Sequence, residues 1–189
     1  MSDPSQPGPR ALVVFESMFG NTEVIARAVA DGLERAGHEV VLAAVDDPTV
    51  PTGPIGVDLV VAGAPTHAFS LSRPLTRADA VRQGAPAAKQ VRGLREWLAD
   101  VAPTAAHPVR LVAFDTRVQK VRALPLAAGP RATRLARQRG FDVALRPASF
   151  LVSDTPGPLL DGEAERAASW AADVLGSLIP RPHSDPARP

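Results

Sequence analysis

Between an apolar run and a helical pattern, the chain reads Glu16-Ser17-Met18-Phe19-Gly20-Asn21-Thr22. A turn from strand into helix leaves backbone N–H groups unpaired and aims the positive end of the helix dipole at the same spot. That is the chemistry of an anion site. Ser17 and Thr22 add hydroxyl donors, Asn21 adds an amide N–H, and Gly20 permits close backbone approach. Charge-assisted hydrogen bonds are worth about 1.5–3 kcal/mol each, so several hold one phosphate without a cation. A Walker loop needs Lys where Asn21 stands, and a dinucleotide fingerprint needs glycines where Ser17, Met18 and Phe19 stand. Glu16 beside the turn argues against a polyphosphate. A terminal monophosphate fits best. Helix capping alone explains a Ser or an Asn here, but not Ser, Gly and Thr together behind a buried strand.

The elements that position this turn alternate along the chain. Apolar runs predict strands over 11–15, 39–45, 57–63, 108–114 and 143–152. Helical spacing predicts helices over 21–36, 89–101, 130–140 and 161–178, with Gly37 stopping the first and Asp161 capping the last. Strands that are apolar throughout, separated by helices, imply a parallel sheet covered on both faces, hence one doubly wound α/β domain. Such sheets bind ligands beyond the C-terminal ends of their strands, where the strand order reverses. Three loops leave those ends: 16–22, 64–73 and 115–128.

The 189 residues suffice for one domain with a full core. The absence of Cys excludes disulfides, thiolate catalysis and Cys-ligated metal. No metal site, signal peptide or bilayer-length apolar run is evident, so the expectation is a cytoplasmic protein with no membrane and no metal. Residues 1–9 and 180–189 read as disordered tails around a domain spanning 10–179. Net charge is +1 but unevenly spread. Residues 1–63 carry −6, residues 64–139 carry +10 and residues 140–189 carry −3. No helix-turn-helix or ribonucleoprotein pattern accompanies the basic middle, which argues against nucleic acid.

The pattern Val13-Val14-Phe15-x-Ser17-x-x-Gly20-x-Thr22-x-x-x-Ala26-x-x-Val29 resembles the FMN-phosphate signature of the flavodoxin family. The resemblance extends to Gly63–Pro74 (GAPTHAFSLSRP), to Phe114–Arg117 (FDTR) and to the stretch 149–170, and is similar to small flavodoxin-domain proteins of the actinobacterial type. It implies a five-stranded parallel sheet in 2-1-3-4-5 order with FMN at the switch point, an order the family supplies. Ser17, Met18, Phe19, Gly20, Asn21 and Thr22 would then hold the phosphate. Pro65, Thr66, His67, Ala68 and Phe69 would lie beside the flavin ring, with Asp115, Thr116 and Arg117 on its other side. His67 or Phe69 stacks on the ring, or else His67 is a surface residue and Phe69 a loop anchor. Asp115 accepts from the ring or the ribityl chain, or caps its turn. There is no Tyr for the usual stack, and Trp97 and Trp170 fall within helices, so both read as core.

Arg73, Arg77, Arg117, Lys120 and Arg122 fall in or near the ring loops. A unit charge about 10 Å away contributes roughly 0.4 kcal/mol in water and 1.7 kcal/mol at an effective dielectric of 20. Such charges would make the flavin's potential less negative than in acidic flavodoxins. The leading functional expectation is an electron-transfer protein without catalytic residues, serving a redox protein partner that the basic middle would make acidic. The alternatives are an FMN-dependent quinone or small-molecule reductase, and a flavin-free binding module on the same fold.

Overall fold

The structure is a computed structural model and describes residues 10–104, 108–124, 126–143 and 145–178. Both expected tails lie outside the described residues. The main sheet contains β1 (Arg10–Phe15), β2 (Glu39–Ala44), β4 (Leu59–Pro65), β6 (Arg110–Val118) and β7 (Ala148–Val152). Two three-residue strands, β3 (Gly53–Ile55) and β5 (Val101–Pro103), pair separately. The main order is β2-β1-β4-β6-β7, all parallel. Counted along the five main strands this is the expected 2-1-3-4-5.

The near-continuous apolar strands are explained by burial on both faces. On one face Ala11, Val13 and Phe15 join Leu59 and Val61 under α1 (Asn21–Arg35) and α5 (Glu163–Trp170). On the other, Leu12 and Val14 join Val60 and Ala62 under α3 (Leu94–Asp100) and α4 (Ala128–Gln138). The strand period of two thus feeds two cores from one run of residues. Trp97 is fully buried in the second core and donates its indole N–H to the Pro51 carbonyl at 2.9 Å. Trp170 lies against the first core, edge-on to Phe150. Both are packing residues, as the sequence suggests.

Several elements differ from the expected pattern: β3 and β5 were not expected, and β6 runs through residues 115–118, which were expected to be loop. Residues 74–82 form a helix, α2 (Pro74–Arg82), where no element was expected. The helix expected over 89–101 is split: a short 3₁₀ turn covers Ala87–Gln90, and Gly93, extended at φ −119°, caps α3. The last helix begins after Gly162, at φ 81° in the left-handed region, rather than at Asp161, and widens into a π turn over Ala171–Leu175. No helix among the described residues is long and apolar enough to cross a membrane.

Candidate functional site

Strand β1 ends at Phe15, and the next five residues, 16–20, climb into α1. Gly20 makes the climb possible: its φ of 90° is one that L side chains rarely adopt. The Ser17 Oγ accepts from the Gly20 N–H at 3.1 Å and from the Glu23 N–H at 3.3 Å. Ser17 therefore does cap the helix. With both lone pairs engaged, its own proton must point away from those amides, so the cap also orients a donor. The N–H groups of Met18, Phe19, Asn21 and Thr22 donate to no acceptor among the described residues. Four free amides and an oriented hydroxyl at a helix N-terminus can donate together to one anion.

Thr22 is buried, and its Oγ1 lies 2.8 Å from the Thr116 Oγ1 on β6. One hydroxyl donates to the other, which fixes the end of β6 against the start of α1. The Asn21 side-chain amide donates to the Pro156 carbonyl at 3.1 Å, so it closes the loop after β7.

The second loop is pinned from both sides. The Thr66 N–H donates to the Thr116 carbonyl at 2.9 Å, and the Thr66 Oγ1 accepts from the Ala128 N–H at 3.1 Å. His67 and Ser70 exchange two backbone bonds of 2.9 Å. The tight turn between them puts Ala68 and Phe69 at φ 45° and 62°. Left-handed backbone at two residues with side chains costs about 1 kcal/mol or more each, a strain typical of functional loops. Burial, then the Arg77 charge, holds the His67 imidazole below its ordinary pKa, so it is neutral at pH 7.

These loops enclose a cavity of about 270 Å³. Ser17, Met18, Phe19, Asn21, Thr22, Pro65, Thr66, His67, Ala68, Thr116 and Arg117 line it. Of the expected site residues, Gly20, Phe69 and Asp115 do not. Gly20 acts through its backbone. Phe69 is 47% exposed, because the turn carries its ring outward. Asp115 is fully buried; it takes Arg117 in a two-pronged pair at 2.9 and 3.0 Å and the Gly129 N–H at 2.9 Å. Its position suits holding Arg117 and the start of α4.

The expected ring of free positive charge is smaller than the sequence implies. Arg117 is neutralised by Asp115. Arg77 is buried and bonded to the Ser72 hydroxyl, the Gln90 carbonyl and, at 3.2 Å, Glu96. Beside it lies Glu16, whose Oε2 accepts from the Leu94 N–H at 2.8 Å while its Oε1 has no partner among the described residues. Burial pushes the Glu16 carboxyl above its ordinary pKa, against the pull of Ser72, Leu94 and Arg77.

Sequence reasoning missed one wall. Thr76, Asp79, Ala80 and Gln83 on or just after α2 face the cavity, and Val118, Val152 and Thr155 complete it. The spacing 76, 79, 80, 83 is one helix face, and Pro74, suited to a first helical position, was the one sequence signal for it. Met18 packs with Ala80 and Ala85, joining this wall to the anion turn.

Residues 13–72 match the flavodoxin family model. Solved structures of the same shape include a flavodoxin from the domain Archaea (15% identity, TM-score 0.56, covering 89% of this chain and 98% of that one). Flavodoxin 1 from Bacillus cereus is 17% identical at a TM-score of 0.56, covering 86% of this chain and 95% of its own. The flavodiiron protein from Giardia intestinalis is 19% identical at a TM-score of 0.55; 90% of this chain corresponds to 36% of that one. The turn over residues 16–22 lies inside the matched segment and the sheet has the matching order, so the chain has the flavodoxin-like fold and is similar to flavodoxins over residues 13–72.

Proposed function

We propose that the chain binds FMN in this cavity and passes electrons between redox protein partners. The family's cofactor is FMN, and the residues present fit it. The observation that carries the reading is the set of free amides at Met18, Phe19, Asn21 and Thr22 beside the oriented Ser17 hydroxyl. An uncharged receptor of this kind suits one dianionic phosphate ester. The ring would lie between the turn His67–Ser70 and residues Thr116–Val118, against the α2 wall. When bound, FMN supplies the electron-carrying chemistry. The protein's part is to grip the phosphate, hold the ring loops through Thr66 and Thr116, and keep His67 neutral beside the ring. No acid–base pair is needed for that. The partner is read as acidic, because residues 64–139, which supply most of the ring-side surface, carry +10.

The test is an absorption spectrum of the purified protein titrated with FMN and, separately, with riboflavin. The expected result is a bound yellow form, with FMN held far more tightly than riboflavin. A colourless protein that perturbs neither ligand's spectrum would refute the proposal.

A further inference from the structure

Three arginines, Arg73 at the N-cap of α2, Arg95 on α3 and Arg131 on α4, act on one another beside the second loop. Arg95, on α3, donates from Nε to the Ser72 carbonyl and from Nη2 to the Leu71 carbonyl, both at 3.2 Å. Its guanidinium thus sits against the residues just before Arg73. Arg131 is one turn into α4, whose Ala128 amide is tied to Thr66. The charges of Arg131 and Arg73 both act on Arg95, lowering its pKa behind the larger effect of burial. None of the three forms an ion pair among the described residues. The carboxylates acting on Arg95 are committed elsewhere: Glu96 pairs with Arg77, and Glu16 is buried against the Leu94 amide.

Exposed large apolar side chains lie close to two of these arginines in sequence. Phe69 and Leu75 flank Arg73 along the chain, and Leu126 precedes α4; Leu75 is 80% exposed and Leu126 64%. Unpaired guanidinium groups among exposed apolar side chains have the composition of a protein docking surface, where arginine is enriched. Like charges held together without counter-charge call for anionic groups on the other side.

We propose that Arg73, Arg95 and Arg131, with Phe69, Leu75 and Leu126, form the docking surface for an acidic redox protein, whose surface carboxylates pair with the three guanidiniums. The proposal deepens the electron-transfer reading and rests on it for the partner's redox character. Docking here sets the partner against the loop that borders the cavity. The three arginines lie outside the cavity lining, so their guanidiniums are placed to meet a partner rather than to touch the cofactor.

The test uses the full chain, with and without FMN, against two probes: an acidic [2Fe–2S] ferredoxin and a basic cytochrome c. Binding is measured by calorimetry at low and at physiological salt. The variants are Arg73→Glu and Arg131→Glu; Arg95 is left intact because it also holds two backbone carbonyls. Ferredoxin should bind the natural chain, more weakly as salt rises, and each reversal should weaken it about tenfold at low salt. Cytochrome c should move in the opposite direction, and FMN affinity should not change. The proposal is overturned if ferredoxin does not bind, if the reversals leave its binding unaltered, or if they abolish NADPH or pyrophosphate binding while sparing ferredoxin. A chain that takes no FMN yet still binds ferredoxin through these arginines would sink the electron-transfer reading and leave the docking surface standing. An FMN-loaded chain that ignores ferredoxin would do the reverse.

Discussion

Replacing Thr22 by Val removes one hydroxyl and keeps the side chain's volume. Two consequences follow from its position. Thr116, buried at 4% exposure, loses the partner 2.8 Å away. Leaving a buried hydroxyl unpaired costs about 1–3 kcal/mol of folding stability. Separately, if Thr116 donates to Thr22, the Thr22 proton is free for the phosphate, and its loss removes one charge-assisted bond of about 1.5–3 kcal/mol, a 10- to 150-fold weakening of FMN. Riboflavin has no phosphate and feels only the first effect. Flavin fluorescence quenching should therefore show a Kd ratio of riboflavin to FMN that collapses by that factor. Urea unfolding of the apo chain isolates the stability cost. In the double variant T22V/T116V the stability should return toward the natural value, since both partners are then apolar, while the FMN loss persists. Equal weakening of both flavins in T22V would refute the phosphate role and leave Thr22 a structural hydroxyl.

Other expectations are as direct. Gly63→Ala places a Cβ 2.0 Å from the Phe114 ring tip, which is held by Phe150, so chemical unfolding should show a loss of about 1–3 kcal/mol or more. The raised pKa of Glu16 has a definite sign: between its ordinary 4.5 and the higher folded value, the folded chain holds more protons than the unfolded one. That contribution is full below the ordinary value and is lost as pH rises through the folded pKa. Urea curves above pH 4.5 should therefore show the natural chain losing stability with pH relative to Glu16→Gln, by at most about 1.4 kcal/mol per pH unit. Parallel pH profiles for the two proteins would count against it.

What was legible in the sequence is what hydrophobic burial writes directly. β1, β4 and β6 are buried on both faces and read as apolar runs. The turn over residues 16–22 was legible as a strand-to-helix turn because a glycine and two hydroxyls at fixed spacing mark one, and Gly20 is indeed left-handed. Helix α2 was not, since it buries only Arg77 and Ala80 and presents the rest of its surface to solvent or the cavity. With almost no apolar stripe there is no periodicity to find. Strands β3 and β5, GPI and VAP, are too short and too rich in proline to read as strands. Arg77 and Arg117 looked like free surface charge because their partners, Glu96 and Asp115, become neighbours only through folding or through a side-chain geometry that spacing leaves open. The arginines of the proposed docking surface illustrate the same limit: residues 73, 95 and 131 are far apart in the chain and act on one another only once the chain is folded.

The bond from the Leu94 amide to Glu16 spans 78 positions of sequence. It joins the last residue before the anion turn to the first residue of α3, next to Arg95. That amide proton is thereby a remote reporter. Its exchange with deuterium requires the base of the turn and the first winding of α3 to part company. Loading the turn with a ligand should slow the exchange of Leu94 by mass spectrometry or NMR, and so record occupancy from the opposite end of the network.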